Sequence, residues 1–306
     1  MATVCAPRPR PRLGRPRLLI VGCGDIGLRI VARLRGRFRI VGAVRSAASA
    51  AAVRAAGATP LIADLDRRAS LARLAGLAAR VLMLAPTSAE GERDDHARHL
   101  LAALRAPRAG RLVYLSTTGV YGDRAGAWVE ETSAPRPRTA RARRRLDAER
   151  RLRASAWHAR VLRVPGIYAA ERLPLERLRA ALPVPLPAQD VVTNHIHAED
   201  LARATIAALF RGRPARVVNV VDHTELTLGA YLDRVAEHAG LARPPRLPWE
   251  ALRAAAGPLR MSFLEESRRV RNTRLLRELR LRLRYPDVAA GLAAAAQASN
   301  SPSTDR

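Results

Sequence analysis

Lysine is absent from this sequence of 306 residues: all 54 basic residues are arginine, and the formal net charge is +27 at pH 7. Such a surplus of positive charge is typical of proteins that bind phosphate backbones. These arginines, however, are spread along the whole chain beside many alanines, and no helix-turn-helix, zinc-finger or RNA-recognition motif is present. The sequence therefore predicts no nucleic-acid partner.

Cysteines and long apolar runs are also scarce. Cys5 lies in a tail rich in arginine and proline and Cys23 lies in a glycine loop, so a disulfide framework is not expected. No apolar run approaches the roughly 20 residues that span a bilayer, and the basic N-terminus lacks the apolar stretch of a secretory signal. The sequence predicts a cytoplasmic protein without a membrane partner.

Short apolar runs alternate with amphipathic helical patterns between two segments predicted to be disordered, the basic tail 1–16 and residues 296–306. The runs are nearly continuous, which is typical of strands that helices cover on both faces. They are Leu18–Gly22, Arg39–Val44, Pro60–Ala63, Val81–Ala85, Arg111–Ser116, Ala159–Val164 and Val217–Val221. The alternation predicts an α/β fold, a Rossmann-type doubly wound parallel sheet.

The helical patterns and the proline positions complete the predicted organisation. The helices are expected at Ile26–Leu34, His96–Leu104, Thr139–Arg153 and Asp200–Phe210, the last with Asp200 as its N-cap. Residues 17–169 and 190–222 are expected to form a dinucleotide-binding domain. Residues 170–189 and 223–295, which proline interrupts and which lack the alternation, are expected to form a small substrate-side lobe.

A glycine loop, Gly22-Cys23-Gly24-Asp25-Ile26-Gly27, follows the first predicted strand and precedes a helix. The first glycine allows a tight turn, the second lets the backbone approach a pyrophosphate, and the third lets the helix pack close to the strand. The N–H groups at the helix N-terminus then face the phosphates. This context predicts an NAD(P) site formed by Gly22, Gly24, Asp25, Ile26 and Gly27.

The end of the second predicted strand distinguishes the two cofactors. An acidic residue there binds the ribose 2′-hydroxyl of NAD, whereas an arginine accommodates the 2′-phosphate of NADP. The strand is followed by Arg45 and Ser46, without an acid, so NADP is preferred and NAD is the alternative. Asp64 is expected either at the adenine edge or as a helix cap. Ala85, which ends the fourth predicted strand, and Pro86, which follows it, complete the predicted site.

Further motifs follow the glycine loop in order. They are Leu115-Ser116-Thr117-Thr118-Gly119-Val120-Tyr121-Gly122, Arg163-Val164-Pro165-Gly166-Ile167-Tyr168, Asn194-His195-Ile196-His197-Ala198-Glu199-Asp200-Leu201-Ala202 and Val218-Asn219-Val220. With them, residues 17–295 resemble the NAD-dependent epimerase/dehydratase family of the extended and atypical short-chain dehydrogenase/reductase superfamily. The resemblance implies an oxidoreductase or epimerase that acts on a sugar-nucleotide-like or other small carbonyl or hydroxyl substrate.

The chain departs from this family at its Tyr-x-x-x-Lys pair. Glu149 matches an acidic residue that the family usually has four positions after its lysine. Counting back from Glu149 places the Lys position at Arg145 and the Tyr position at Arg141. In the family the tyrosine exchanges a proton while the nicotinamide exchanges a hydride, and the lysine holds the ribose. Arg145 can still donate hydrogen bonds to that ribose. Arg141 stays protonated and cannot act as the acid/base, so the usual proton shuttle is missing.

Other residues are candidates for catalysis and substrate binding. Thr117 matches the catalytic Ser/Thr of the family, and Tyr121 is expected either to reach the same cleft or to be structural. His195 titrates in the range of an acid/base, although His195 and His197 could equally support their loop through hydrogen bonds. No nearby ligand set completes a metal site. The predicted substrate contacts are Tyr168, His195 and Asn272, and the resemblance also brings residues 265–269 to the cleft.

Two functions stay open at this point. The first is an enzyme with a displaced acid/base such as Tyr121 or His195, and the second is a catalytically atypical NADP-binding sensor or scaffold without turnover. The intact glycine loop and the expected lobe favour the enzyme. A small-molecule substrate is the expected partner, and a homodimer is the candidate assembly.

Overall fold

The computed structural model describes residues 14–105, 110–255, 261 and 265–300. Its strands are β1 (Arg17–Val21), β2 (Arg39–Val44), β3 (Thr59–Ile62), β4 (Arg80–Met83), β5 (Arg111–Thr117), β6 (Trp128–Val129), β7 (Arg160–Val164), β8 (Gly166–Tyr168), β9 (Val184–Pro185), β10 (Val192–Thr193), β11 (His195–His197), β12 (Val217–Asn219), β13 (Leu226–Thr227), β14 (Arg246–Leu247) and β15 (Arg269–Val270).

The described helices are α1 (Asp25–Leu34), α2 (Ala47–Ala55), α3 (Asp95–Ala103), α4 (Ala140–Ala154), α5 (Leu175–Arg179), α6 (Ala198–Arg211), α7 (Leu228–Ala239), α8 (Trp249–Ala255), α9 (Thr273–Arg277) and α10 (Val288–Asn300). Short 3₁₀ helices cover Arg68–Leu74, Thr118–Tyr121, Ala170–Arg172 and Pro187–Gln189. None of the helices that the structure describes is long and apolar enough to cross a membrane.

Seven strands form one parallel sheet in the order β12-β7-β5-β4-β1-β2-β3. In the centre, Leu19 of β1 lies opposite Val41 of β2 on one side and Val81 of β4 on the other. Parallel neighbours require crossover connections, and the helices in those connections cover both faces of the sheet. All seven predicted strands lie in this sheet, and the predicted α/β fold is confirmed.

Two hydrophobic clusters cover the two faces of the sheet. Along β1, Leu18 and Ile20 belong to one cluster and Leu19 and Val21 to the other, because successive side chains of a strand point to opposite faces. Helices α1 and α6 pack on the first face, and α3 and α4 pack on the second. Burial on both faces explains why the strands are apolar almost throughout.

A third hydrophobic cluster lies in residues that the sequence assigns to the lobe. It joins Leu178 of α5, Tyr231 and Val235 of α7, and Val288 and Leu292 of α10. Three pairs of short strands, β8 with β11, β9 with β14 and β10 with β13, connect the segments around it. A fourth pair, β6 with β15, belongs to a small cluster of Tyr121, Val129, Val221 and Val270. This packing holds the lobe segments beside the sheet.

The prediction that Asp200 caps α6 is wrong. The helix begins at Ala198, and the N-cap is His197, whose Nδ1 accepts a hydrogen bond from the Glu199 N–H at 3.1 Å. Asp200 is fully buried instead. Its two carboxylate oxygens accept hydrogen bonds from the backbone N–H groups of residues 284 and 285 at 2.9 and 2.8 Å. The side chain therefore ties a distant segment to α6.

The predicted disordered ends have different outcomes. Residues 296–306 were expected to be disordered, and this is wrong for residues 296–300, because α10 continues to Asn300. Residues 301–306 lie outside the described residues, as do residues 1–13 of the predicted basic tail, including Cys5.

Candidate functional site

The glycine loop joins β1 to α1 with the geometry that its motif predicts. Gly22 has a φ of +81°, and a Cβ there would lie 2.5 Å from the backbone nitrogen of Ala85, so only glycine fits. A Cβ at Gly27 would lie 3.0 Å from Cys23 Sγ, which keeps α1 close to the sheet. A Cβ at Gly24, in contrast, would meet nothing within 4 Å. The backbone at Gly24 therefore faces open space.

Two cavities meet at this loop. The first, of about 630 Å³, extends from the loop to the ends of β2 and β3, and the second, of about 340 Å³, extends to the end of β5. Gly24 is the N-cap of α1 and has no side chain to occupy the N–H groups of the first turn. Open space before an uncapped helix N-terminus suits a phosphate. The residues present therefore fit a dinucleotide.

All of the predicted cofactor residues line these two cavities. Those around the first cavity are Gly22, Gly24, Arg45, Ser46, Asp64, Ala85 and Pro86. Those around the second are Gly22, Gly24, Asp25, Ile26, Gly27 and Arg145. The structure thus brings together residues that are up to 123 positions apart in sequence (22 to 145); their contacts with a cofactor stay a prediction.

The end of β2 carries positive charge and hydroxyl groups. Arg45 and Ser46 are both exposed and line the first cavity. Ser46 Oγ accepts a hydrogen bond from the Ser49 N–H at 3.2 Å and so caps α2. A phosphate at this position would meet a guanidinium, two hydroxyl groups and the N-terminal end of a helix.

Helix α4 places Arg141 and Arg145 against the second cavity. Nη1 of Arg145 donates to the Leu115 carbonyl oxygen at 2.7 Å and to the Tyr114 hydroxyl at 3.1 Å. Burial raises the pKa of Tyr114 to about 12, so that hydroxyl stays neutral near pH 7. The position at which the resemblance implies a lysine therefore holds a guanidinium anchored at the end of β5, next to Thr117.

Beyond Thr117 the cleft continues into a third cavity of about 250 Å³ and a fourth of about 360 Å³, which both contact Glu266 and Arg268. Oε2 of Glu266 accepts a hydrogen bond from Arg268 Nη1 at 2.8 Å. The Glu266 side chain is only 10% exposed, and its Oε1 has no hydrogen-bond partner among the described residues. Glu266 therefore lines the cleft with one carboxylate oxygen paired with Arg268 and the other buried without a partner in the described part of the chain.

The two predicted histidines have different roles. His195 lines the fourth cavity, and its Nε2 is 2.9 Å from Thr193 Oγ1. Burial lowers the pKa of His195 to about 4, so its ring is neutral at pH 7. His197 caps α6, which fits the alternative that it supports the loop. In the described part of the chain no group of three or more His, Cys, Asp or Glu side chains could hold a metal ion.

The structure corrects the assignment of Tyr121 as a catalytic candidate. Its ring is fully buried and its hydroxyl donates to Asn219 Oδ1 at 2.7 Å. The Arg163 guanidinium lies 4.7 Å from the ring centroid and forms a buried ion pair with Glu149 at 2.8 Å. Tyr121 is therefore part of a buried polar network and does not line the cleft. Of the two expectations for Tyr121, the structural role fits.

Two of the three predicted substrate contacts also lie elsewhere. Tyr168 belongs to the third hydrophobic cluster, and its hydroxyl donates to the Asp287 carbonyl oxygen at 2.9 Å. Asn272 lines a further cavity of about 170 Å³, which shares Val192 and Asn194 with the fourth cavity but does not contact Thr117, and its Nδ2 donates to the Val221 carbonyl oxygen at 2.9 Å. Of the three, His195 lines the cleft.

Sequence reasoning missed several residues of the cleft, among them Arg172 and His96. Arg172 lines the second cavity and pairs with Asp25 at 2.9 Å. His96 lines the first cavity, where its ring nitrogens are 2.9 Å from the Pro86 carbonyl oxygen and 2.7 Å from Asp66 Oδ1. Neither residue belongs to a motif, so only the tertiary fold reveals them.

Comparison with known proteins adds independent findings. The model of a family described as NAD(P)H-binding matches residues 22–211. No curated protein matches the sequence. A conserved protein of unknown function from Silicibacter pomeroyi DSS is 32% identical, with a TM-score of 0.76, and the match covers 93% of this chain and 99% of that one.

Two further solved structures share the fold. A proposed NAD-dependent epimerase/dehydratase from Methylobacillus flagellatus is 27% identical, with a TM-score of 0.71, over 94% of this chain and 100% of that one. UDP-glucuronic acid 4-epimerase from Bacillus cereus, in complex with NAD, is 16% identical, with a TM-score of 0.70, over 91% and 96%. These likenesses extend over nearly the whole chain.

Proposed function

Because the chain belongs to the NAD(P)H-binding family, we propose that it is an NADP-dependent oxidoreductase or epimerase that acts on a small hydroxyl or carbonyl compound. The observation that carries this proposal is the continuity of the cleft. The cavity beside the glycine loop and the next cavity share Thr117, Arg141 and Pro165 in their walls. A second molecule could therefore lie directly against a bound dinucleotide. The likeness to an epimerase of a sugar nucleotide makes that substrate class one candidate.

A bound nicotinamide would supply hydride exchange at a substrate carbon. Residues of the first two cavities would hold the dinucleotide, with Arg145 available to donate a hydrogen bond to its ribose. Thr117 would hold the substrate hydroxyl at the boundary between the second and third cavities. These residues bind and orient; none of them supplies the missing proton transfer.

We assign proton transfer to Glu266. A carboxylate can take the proton of a substrate hydroxyl and return it, whereas Arg141 stays protonated throughout. Glu266 lines the third cavity, and its buried Oε1 has no hydrogen-bond partner among the described residues. His195 suits this role less well, because it lines the fourth cavity and neither of the two cavities that share Thr117.

Turnover assays on Glu266 variants test this proposal. Purified protein with NADP or NADPH is mixed with a panel of sugar nucleotides, hydroxy acids and carbonyl compounds, and the cofactor absorbance is followed. Glu266→Gln should lower kcat by roughly 100-fold or more, a typical loss for a general acid/base, with unchanged NADPH affinity. Glu265→Gln is the matched control, because Glu265 is exposed. Full activity in Glu266→Gln would remove Glu266 from the reaction.

The preference for NADP over NAD has its own test at Arg45. A charge-assisted hydrogen bond to the 2′-phosphate contributes about 1.5–3 kcal/mol, so Arg45→Gln should weaken NADPH binding roughly 10- to 100-fold and leave NADH binding nearly unchanged. Arg54→Gln, in an exposed position at the end of α2, is the control. Equal losses for both cofactors in isothermal titration would argue against NADP specificity at this position.

A sensor or scaffold without turnover is the second candidate function. The observation that favours it is the replacement of the family's acid/base and lysine by Arg141 and Arg145, both of which line the cleft. It predicts NADPH binding and cofactor-dependent association with another protein, with no change in cofactor redox state over the panel. Multiple turnovers with any substrate would exclude it. A cytoplasmic location, a homodimeric assembly and the lack of a nucleic-acid partner stay predictions.

A further inference from the structure

His96 of α3 lies in the wall of the first cavity and contacts the segments that follow β3 and β4. We infer that His96, with a proton on both ring nitrogens, is a positioning residue for the adenosine end of the cofactor, so that NADP affinity falls when the ring releases a proton. This inference rests on the proposed function and adds a proton-linked control to its cofactor site. His96 has no contact with the reacting atoms in this role.

Both ring nitrogens of His96 face oxygen atoms that accept hydrogen bonds and have no proton to donate. Nδ1 is 2.9 Å from the carbonyl oxygen of Pro86, and Nε2 is 2.7 Å from Oδ1 of the Asp66 carboxylate. A neutral imidazole donates from one nitrogen and accepts at the other, whereas an imidazolium donates from both. A neutral ring would direct a lone pair at one of these oxygens, so the arrangement requires the imidazolium.

The contact with Asp66 extends the effect of His96 to an accessible part of the cavity wall. The Asp66 N–H donates to Oδ1 of Asp64 at 3.1 Å, and the Asp64 N–H donates to Ser70 Oγ at 2.9 Å. Asp64 lines the first cavity, and its side chain is 31% exposed. His96 thus fixes Asp66, and Asp66 in turn orients a carboxylate that a ligand can reach.

The contact with Pro86 fixes the segment after β4 on the other side of the ring. Pro86 is exposed and lines the same cavity. The buried Asp94, which is the N-cap of α3, accepts a hydrogen bond from the Ser88 N–H at 2.9 Å. Helix α3 therefore holds this segment at two points, and the one at His96 requires a proton on the ring.

Charged groups surround His96 on its own helix and on the elements beside it. Asp66 contacts the ring, and on α3 the pKa of Asp95 is lowered, first by a hydrogen bond from Arg98 and in smaller part by the charge of His96. The elements packed against α3 are the 3₁₀ helix 68–74 and α4. The other charged or titratable groups of this region are His99 on α3, Arg67 at 4.0 Å from Asp64, and the Asp147–Arg151 pair of α4. Asp66 is therefore the charged partner of the ring.

Loss of one proton breaks one of the two contacts of His96. The side chain is only 8% exposed, so water has little access to replace the lost donor. Either the turn at Asp64 or the segment at Pro86 then loses its support from α3, and both line the adenosine end of the cavity. A wall that is held in place for only part of the time binds its ligand less tightly, so the affinity should fall as the pH rises.

Isothermal titration of NADP at about pH 6 and about pH 9 tests the inference. The 2′-phosphate of NADP also titrates in this range, so each variant is compared with the wild type at the same pH. At pH 6, His96→Gln should weaken binding roughly fivefold, a typical effect of one lost hydrogen bond, and at pH 9 it should approach the wild type. His238→Gln, a partly exposed position on α7 in the lobe, should match the wild type at both values.

Asp66→Asn is the decisive variant, because its side chain is 58% exposed and its loss does not endanger the fold. An amide accepts a hydrogen bond from a protonated Nε2 and donates one to a neutral Nε2, so the contact no longer needs the second proton. The variant should equal the wild type at pH 6 and bind NADP roughly fivefold more tightly than the wild type at pH 9. Asp66→Ala should be weaker than Asp66→Asn at both values.

NMR of the histidine ring nitrogens provides a readout that a purely structural role would not change. Because the coupling is reciprocal, adding NADP at the pH where His96 is half protonated should shift its ring toward the imidazolium form; the signal is assigned by its loss in His96→Gln. An unchanged signal, or equal pH dependence of binding in wild type and Asp66→Asn, overturns the inference and leaves the proposed function intact. A wild-type protein that binds no NADP at either pH refutes the proposed function itself.

Discussion

Gly24 provides a test of the cofactor site that does not depend on any substrate. A Cβ there would meet nothing within 4 Å, so Gly24→Val should leave the fold intact while its side chain fills the space before the α1 N-terminus. We expect NADPH binding to weaken at least tenfold, because the phosphate loses its approach to the helix N–H groups. Isothermal titration gives the affinity, and the melting temperature reports the fold.

Gly36→Val is the matched control for this substitution. Gly36 is also exposed, and a Cβ there would meet nothing within 4 Å, but it lies in the α1–β2 connection away from the cavities. Its NADPH affinity should equal that of the wild type. Equal affinities in all three proteins would show that no phosphate binds at Gly24.

Asp222 makes the free energy of unfolding of this protein depend on pH. It follows β12, it is 5% exposed, and its Oδ1 accepts a hydrogen bond from the Thr224 N–H at 2.9 Å. Burial raises its pKa from 3.8 to about 7. Between these two values the folded state holds a proton that the unfolded state has lost, so the contribution of Asp222 to the free energy of unfolding falls as the pH rises.

Asp222→Asn should remove this dependence, because it keeps an acceptor for Thr224 and has no charge. At pH 8 we expect the variant to be more stable than the wild type by a few kcal/mol, at about 1.4 kcal/mol per pKa unit, and at pH 4 nearly equal to it. Burial lowers the pKa of His195 to about 4, so the contribution of His195 to the free energy of unfolding rises with pH. Both proteins contain His195, and subtracting their free energies of unfolding in guanidinium therefore isolates the effect of Asp222. A difference that is the same at pH 4 and pH 8 would contradict the assignment.

At the scale of elements, Asp200 links α6 to the segment before α10. Its carboxylate accepts hydrogen bonds from the backbone N–H groups of Arg284 and Tyr285 and pairs with Arg203 at 2.5 Å. Asp200→Ala removes the acceptor of both N–H groups and the buried charge that Arg203 pairs with, and should lower the free energy of unfolding by about 3 kcal/mol. Urea unfolding measures the change. Asp95→Ala, an exposed position on α3, should have a small effect, and similar losses in both variants would refute the role of Asp200.

The elements differ in how far the sequence predicts them. Strands β5 and β7 were predicted to within one residue at each end, because burial on both faces leaves a nearly continuous apolar run in the sequence. Two-residue strands such as β9 and β14 pair only with each other, and two residues are too few to show an alternating pattern. The α6 cap was mispredicted because Asp200 has the side chain of an N-cap, whereas tertiary contacts bury it.

At the scale of the whole molecule, the charge is far from balanced. The chain has 54 basic and 27 acidic residues, and self-repulsion destabilises a compact state with such a surplus. Raising NaCl from about 20 to about 300 mM shortens the screening length from roughly 20 to roughly 6 Å and should raise the melting temperature by several degrees. Potassium chloride at equal ionic strength should act alike, and a falling melting temperature would show that local ion pairs outweigh the repulsion.

The cleft was predictable where its residues directly follow strands of the central sheet, and not where residues from other segments reach it. The glycine loop, Arg45 and Thr117 lie at the carboxyl ends of the parallel strands β1, β2 and β5, so topology alone places them at one edge of the sheet. Arg172 and His96 lie outside the motifs. His96 is on α3, which packs on the sheet, and Arg172 ends the 3₁₀ helix Ala170–Arg172. For Glu266, the resemblance implied a place near the cleft, but the free acceptor on Oε1 depends on the fold around it.

The contacts between α6 and residues 275–292 also affect the order in which this protein can be completed during synthesis. All seven strands of the central sheet precede residue 220, yet Leu275 and Leu281 complete the first hydrophobic cluster and Val288 completes the third. A nascent chain that ends before them has its glycine loop but exposes apolar surface along α6. The partners of Asp200 emerge from the ribosome 84 residues after it. The nucleotide-binding loop is therefore translated early, while the surrounding core closes only near the end of translation.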